Sequence, residues 1–363
     1  MACDLREVVS HFDFCALPVP YGDGHINDTY DWQLVAPRFI LQRINKNVFK
    51  KPEEVMENIV GVTTHLRKKL SDAGRDPDRE TLTVIPTTDG KAFYLSPEGD
   101  YYRMYRFIEG TRTDQRVEKP EQFRSAGYAF GDFQNLLADY DAKKLHDVIP
   151  SFHDTRKRFA ALKEAIAADP LGRAAECKEE IDFALAREHE VGMIMDRLED
   201  GRLPWRVTHN DTKYNNILLD AETEKALCVI DLDTVMPGSL LFDYGDSLRF
   251  GSNPAAEDEK DLSLVYCDLV LFEAFTLGFM EAMGNTLTEE EIRLMPLSAR
   301  MMTYECGIRF LTDYLMGDTY FKIHRPEHNL DRTRTQLKLV ADMEEKEEEI
   351  IRIIDRCKAA IGR

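Results

Sequence analysis

No apolar run in this 363-residue sequence approaches the roughly 18 residues that a membrane-crossing helix needs. Met1-Ala2-Cys3-Asp4-Leu5-Arg6-Glu7 lacks a basic segment followed by an apolar one, so neither export nor a membrane span is expected and a cytoplasmic location is. Cysteine is sparse and scattered, at 3, 15, 177, 228, 267, 306 and 357, with no CxxC pair. That pattern fits neither a disulfide framework nor a zinc knuckle, and idle or buried thiols in a reducing compartment are expected. Positive charge is in deficit. With 47 Lys and Arg against 66 Asp and Glu, the formal charge is −19, and no long Lys/Arg run offsets it. Such a surface repels a phosphate backbone, which argues against nucleic acid as a partner.

What is present is enough apolar material for a substantial core, with 43% hydrophobic and 31% charged residues. That is the composition of an ordinary globule rather than a disordered chain, and the length suits two units of unequal size. Residues 34–45 and 82–108 read as strand material: Phe39-Ile40-Leu41 is flanked by polar residues, Leu82-Thr83-Val84-Ile85 stops at Pro86, and Tyr101 to Phe107 alternates. Between them Pro52, Glu53 and Glu54 suit a first helical turn, and Val55, Ile59, Val62, Leu66 and Leu70 recur at helical spacing. After Gly110 helical patterns take over, at about 120–140, 152–168, 174–199, 256–283, 288–316 and 332–361. The acidic 343–349 segment reads as a solvated helix face. One β-rich island survives, from Val207 to Asp233.

That island places Asp211 five residues before Asn216 and runs into an apolar strand. In phosphoryl transfer a carboxylate near the attacking hydroxyl orients it and takes its proton, and a neutral oxygen serves as a ligand for Mg²⁺. One loop supplies both. A second carboxylate is then needed to hold the metal, which prefers hard oxygens, and Asp231 after Cys228-Val229-Ile230 suits that task, with Asp233 as its rival. The net negative charge does not exclude ATP, because Mg²⁺ cancels much of the nucleotide's charge.

These residues resemble the aminoglycoside phosphotransferase and choline kinase superfamily. Asp231-Leu232-Asp233 and Phe242-Asp243-Tyr244-Gly245-Asp246 look like its metal segment and its loop-bracing carboxylates, Asp243 and Asp246. The fold so implied is α+β and two-lobed, protein-kinase-like, with a small β-rich nucleotide-binding lobe over 1–108 and a larger, mainly helical lobe over 109–363 holding the catalytic loop, metal site and acceptor pocket. ATP and Mg²⁺ are the implied cofactors.

Within the superfamily, further strings resemble kinases that phosphorylate the anomeric hydroxyl of N-acetylglucosamine and N-acetylgalactosamine: Tyr21 to Asn27, Ala129 to Asn135, Thr208 to Lys213, Asp231 to Phe250, and Glu305 to Phe310. The resemblance implies His25, Phe250, Arg309 and Tyr320 as sugar neighbours. It also matches Gly22 and Gly24 to a nucleotide-covering hairpin, where the missing Cβ lets the backbone approach phosphate. His209 is read as a packed support. Protein kinases carry a phosphate-gripping Lys on the third strand, paired with a helix Glu. Here Gln42 or Arg43 stands at that place, Arg43 being favoured for its fork of donors, and Glu57 is the open question on the helix. Rival readings are a superfamily kinase for choline, homoserine, another hexose or an aminoglycoside, and a nucleotide-binding regulator without catalysis. The expected partner is a small-molecule sugar, with no membrane, and the oligomeric state stays open, a monomer being compatible.

Overall fold

The computed structural model describes residues 4–22, 26–32 and 37–363. Gly24 and His25 lie outside the described residues, as do positions 34–36 of the first expected strand segment. The chain packs as two units: Met1–Thr113 with Leu136–Pro150 and Asn216–Pro237, and Asp114–Asn135 with Ser151–Asn215 and Gly238–Arg363. A single crossing near residue 108 describes the chain path less well than this division, because two later segments pack with the first unit.

The elements begin with α1 (Leu5–Ser10), β1 (Val19–Pro20), β2 (Asp28–Asp31), β3 (Phe39–Ile44), α2 (Pro52–Asp72) and α3 (Pro77–Glu80). Then come β4 (Val84–Ile85), β5 (Tyr94–Leu95), β6 (Tyr101–Arg106), β7 (Thr111–Arg112), α4 (Pro120–Leu136), α5 (Thr155–Ala168), α6 (Lys178–Leu185) and α7 (Met195–Glu199). After β8 (Arg206–Thr208), β9 (Ile217–Asp220), β10 (Ala226–Val229) and β11 (Met236–Gly238) follow α8 (Leu240–Gly251), α9 (Leu269–Met283), α10 (Glu289–Leu315), α11 (His328–Glu345) and α12 (Glu347–Ala360).

In the first unit β1, β2, β3, β6 and β4 form an antiparallel sheet with β5 added to β6. One face carries Phe39 and Leu41 of β3 with Tyr102 and Met104 of β6, and these pack on Val8, Val9 and Phe12 at and after α1. The opposite face carries Gln42, opposite Arg103 in register, and Arg103 reaches Met56 of α2. Residues 102–105 are all buried because both faces of β6 are covered, so the alternation read there does not mark a solvent side. Helix α2 forms where Pro52, Glu53 and Glu54 predict it and buries Val55, Ile59, Val62, Leu66 and Leu70. The β9–β10 hairpin joins this unit by pairing β9 with β7.

The second unit is built on α10, whose buried residues run around the whole cylinder, as a central helix requires. Its start is fixed by a capping box in which the Thr288 side chain accepts from the Glu291 N–H while Glu291 accepts from the Thr288 N–H. Helices α5, α8 and α11 pack on it. A Cβ at Gly245 would sit 2.5 Å from the Ser298 carbonyl, so glycine permits the close approach of α8 to α10.

Three expected helices are broken or start well after the position the sequence predicts. The 174–199 segment breaks into α6, a 3₁₀ turn at Glu188–Glu190 and α7. In 256–283 helix begins only at Leu269, where the Asp268 side chain accepts from the Val270 and Leu271 N–H groups and caps it. The 332–361 stretch divides at Lys346, so the acidic 343–349 segment is not one face. Met343 is buried, Glu344 pairs with Arg187 and Arg300, and Glu347, Glu348 and Glu349 occupy the first turn of α12, where the helix dipole favours acids. Among the described residues no helix is long and apolar enough to cross a membrane, and the six described cysteines carry no disulfide.

Candidate functional site

The loop that leaves β8 is held by two carboxylates of α8. Asp243 accepts from the backbone N–H of His209 (2.9 Å) and of Asn210 (2.7 Å), and the Gln134 amide also donates to it. Asp246 accepts from the Thr212 N–H (3.1 Å) and from Arg249 Nε (2.9 Å). Thr212 returns a hydrogen bond from its hydroxyl to the Asp243 carbonyl (2.6 Å), and the Ser247 hydroxyl donates to the Thr212 carbonyl (3.0 Å). The loop is thus fixed through its backbone, and the Asp211 side chain has no part in these bonds. Burial pushes the Asp243 carboxyl upward, and the donors around it only partly offset that.

His209 is fully buried, edge-on to Phe130 and Phe133, and its Nδ1 accepts the Asp211 N–H at 3.2 Å. Asp211 itself stays partly exposed, with Lys213 Nζ at 2.7 Å. Burial pushes its carboxyl up, but Lys213, His209 and Arg249 outweigh that and hold it below the usual carboxylate value. In return Asp211 raises the Lys213 ammonium. If Asp211 is a base, rate falls as pH drops through this depressed value. Lys213→Met removes the main opposing charge and leaves burial to act, so the acid limb of the pH profile of kcat/KM is expected to move to higher pH. A profile recorded on both proteins checks this, and an unmoved limb contradicts it.

In the same unit Arg309, one turn beyond Glu305 on α10, lies between the rings of Phe152 and Phe321, 5.4 Å from each centroid. Tyr320 meets Phe321 edge-on at 4.8 Å and is 66% exposed. Its loop is set by Asp313, which accepts from the N–H groups of Thr319, Tyr320 and Phe321. The structure therefore brings Arg309 and Tyr320 together around Phe321, while Phe250 is half-buried on α8 beside Arg249. The sequence reading missed Arg158. Its guanidinium donates to the Phe152 carbonyl, and its positive charge is disfavoured by burial and by Arg309.

In the first unit the β9–β10 hairpin carries Asn216 just before β9 and Asp231 two residues past the end of β10. Val229 pairs with Ile217, and the Ile230 N–H donates to the Asn216 carbonyl at 2.9 Å. Asp231 adopts left-handed backbone (φ 59°, ψ 56°), opens the 3₁₀ turn Leu232–Thr234 and is exposed. Asp233 is only 3% exposed and is committed elsewhere, paired with Arg103 Nη1 at 2.5 Å and accepting from Asn27 Nδ2 at 2.7 Å. Two oxygen donors, an amide and an exposed carboxylate, match what Mg²⁺ accepts from protein when phosphates and water complete its shell. Among the described residues no group of three or more His, Cys, Asp or Glu side chains converges as a self-sufficient metal cage.

The expected role of Arg43 needs correction. Its guanidinium pairs with Asp28 and Asp100 on the face of β3 opposite Gln42. Gln42 takes the inner face, where its Oε1 accepts from Arg103 Nε (3.0 Å) and Nη2 (2.8 Å). The cation on that face is Arg103, 1% exposed, and its charge is held on mainly by Asp233 despite full burial. No sequence signal marked it, because an Arg in an alternating strand reads as a solvent residue. Glu57 is likewise turned to His146 (2.6 Å), and the buried Asn58 does the helix's joining, donating to the carbonyls of His146 and Val235 (both 2.9 Å). Gly22 has φ +75° with nothing near a would-be Cβ, so backbone conformation alone calls for glycine there. Arg103→Met strands the Asp233 charge and is expected to cost about 3–5 kcal/mol, the cost of halving a buried pair. Denaturant unfolding measures it, and a loss near zero would mean the pair is not buried.

A family model described as the phosphotransferase enzyme family (APH) matches residues 19–273. Among solved structures, the chain is similar to an aminoglycoside phosphotransferase from Alicyclobacillus acidocaldarius at 14% identity and TM-score 0.61, covering 99% of this chain and 97% of that one. It is also similar to a microcompartment-associated aminopropanol kinase (14% identity, TM-score 0.58, 95% and 97% covered). A third likeness is to Plasmodium vivax ethanolamine kinase (15% identity, TM-score 0.50, 87% and 80% covered). At these identities the likeness is one of fold, and it is the α+β fold, with a sheet-bearing unit and a helical unit, that the sequence led us to expect.

Proposed function

The chain belongs to the phosphotransferase enzyme family, and on that premise we propose that it is an ATP-dependent N-acetylhexosamine 1-kinase, passing the terminal phosphoryl group to the C1 hydroxyl of N-acetylglucosamine or N-acetylgalactosamine. The products are the sugar 1-phosphate and ADP. The observation that carries a hydroxyl-kinase reading is Asp211, an ionised carboxylate on a loop whose backbone is pinned by Asp243 and Asp246. Such a group aims an alcohol and receives its proton without having to rearrange.

In this proposal Asp211 orients the sugar hydroxyl, while Asn216 and Asp231 are the residues that hold Mg²⁺. Bound there, the metal would supply positive charge to the nucleotide phosphates. Asp233, tied to Arg103 and Asn27, keeps the turn that carries Asp231 in its left-handed conformation. Arg309 and Tyr320, with Phe321 between them, are the acceptor's neighbours in the helical unit. Direct transfer needs no phosphorylated side chain.

Charges in the helical unit support the sugar over the rival acceptors. The aminopropanol and ethanolamine kinases are named for amino alcohols. Here Lys213 lies against Asp211, and Arg158 and Arg309 lie near one another, so a protonated amine would meet cations. A neutral sugar does not, and its hydroxyl and amide oxygens suit guanidinium donors. A panel of acceptors followed by ADP release tests this: N-acetylhexosamines should turn over well ahead of choline, ethanolamine, homoserine and aminoglycosides. A preference for any cationic acceptor refutes the sugar reading, and nucleotide binding without transfer to any acceptor revives the non-catalytic one.

A further inference from the structure

We propose that His153 is a positioning residue that carries a proton on both ring nitrogens and uses them to fix the backbone of the loop bearing Asp211. The claim deepens the functional reading and rests on it for the role of Asp211. Its basis is a count of donors and acceptors. His153 is buried, with Nδ1 2.7 Å from Glu305 Oε1 and Nε2 3.1 Å from the Asn210 carbonyl oxygen. A carbonyl oxygen only accepts, so Nε2 carries a proton. An ionised carboxylate also only accepts, so Nδ1 carries one too.

Glu305 is ionised for reasons visible around it. Burial pushes its carboxyl up and the imidazole pulls it down; independently of the imidazole, the nearby Arg309 and the Thr155 hydroxyl, which donates to Oε2 at 2.6 Å, favour the carboxylate, and its carboxyl is held low. Phe152 and Phe242 flank the imidazole, at 4.5 and 5.2 Å between centroids. The other charged groups about the dyad are Arg158 and Arg309, and Asp154, which gives its carboxylate to Arg156. Glu305 is therefore the anion that balances the buried imidazolium. A neutral ring has one donor and would leave one of its two acceptors unmet, whereas the charged ring serves both.

The grip matters because of what it grips. Asn210 has φ +66°, a conformation non-glycine residues adopt at a cost, and it immediately precedes Asp211. Its N–H is held by Asp243 and its carbonyl by His153, so the peptide leading into Asp211 is pinned on both sides. Glu305 stands one turn before Arg309, so the helix that places the acceptor neighbour also anchors the loop. The His153 bonds were not legible in sequence, since His153 and Glu305 are 152 positions apart, whereas Asp243 was expected to brace the loop.

Full-length chain labelled with ¹⁵N-histidine tests the claim, with the His153 signals assigned by their loss in His153→Gln. The expected spectrum at neutral pH shows a directly bonded proton on each of the two ring nitrogens. A single protonated nitrogen overturns the claim. In Glu305→Gln the amide can donate to Nδ1, and the second proton is expected to be lost from His153. Its retention overturns the pairing argument. For positioning, His153→Gln is expected to lower kcat about 10- to 100-fold, the scale of a misaimed catalytic group, while the affinity for ADP, measured calorimetrically, is unchanged. Unchanged kcat in a folded variant overturns the positioning role, and so does a loss of ADP affinity in step with kcat. Absence of transfer by the unsubstituted chain overturns the functional reading instead, and the nitrogen spectrum then still decides the protonation.

Discussion

Asp211→Asn is expected to lower kcat by about 10²- to 10⁴-fold, the range contributed by a positioned general base, with the fold and the affinity for nucleotide intact. The structure gives the reason for the second half of that expectation. The loop around Asp211 is fixed by backbone bonds to Asp243 and Asp246 and by the Thr212 and Ser247 hydroxyls. The Asp211 carboxylate meets Lys213 but secures none of those bonds. An isosteric amide therefore removes the proton acceptor and the negative charge facing Lys213, and leaves those backbone bonds in place. Steady-state kinetics, a thermal melt and calorimetric titration with ADP separate the three effects. A variant retaining more than about a tenth of the rate, well outside that range, removes Asp211 from its assigned place.

Asp231→Asn is expected to lower kcat about 10²-fold or more, the scale of losing one preorganised charge-stabilising group. It should also weaken metal binding in a way that can be read without turnover. Manganese titrated in the presence of ADP and followed by electron paramagnetic resonance should show free ion at concentrations where the unsubstituted chain binds it. Two features keep the variant folded. Asp231 is exposed, and the buried contacts of its turn are made by Asp233 with Arg103 and Asn27. Asn also tolerates the left-handed conformation that Asp231 adopts. Asp233→Asn should behave in the opposite manner, its main loss appearing in stability, because it breaks a buried pair. If Asp233 rather than Asp231 proved the residue whose loss frees manganese, the two roles would have to be exchanged.

The parts of this molecule that sequence discloses are those written in local patterns. Helix α2 announced itself through Pro52, two acids and a stripe of apolar residues, every one of which is buried. The β9–β10 hairpin falls within the β-rich island expected from Val207 to Asp233, and the family resemblance was read from strings that stay contiguous in the chain. Helix ends were less legible, because a cap such as Asp268 looks like any surface acid until its partners are known. Least legible were contacts between distant positions. Arg103 and Asp233 are 130 positions apart, and alone Arg103 reads as a solvent residue and Asp233 as a rival for the metal. Gln42 and Arg43 could be told apart only by register, since one step along a strand exchanges its faces.

Product analysis puts the central claim to its most direct test. The unsubstituted chain is incubated with Mg²⁺, ATP and N-acetylglucosamine or N-acetylgalactosamine, and the product is examined by phosphorus and proton NMR. The account predicts a single sugar phosphate, its phosphorus coupled to the anomeric proton, formed in equal amount with ADP. A phosphorus coupled to the C6 protons, or ATP consumed with only inorganic phosphate released, would contradict it.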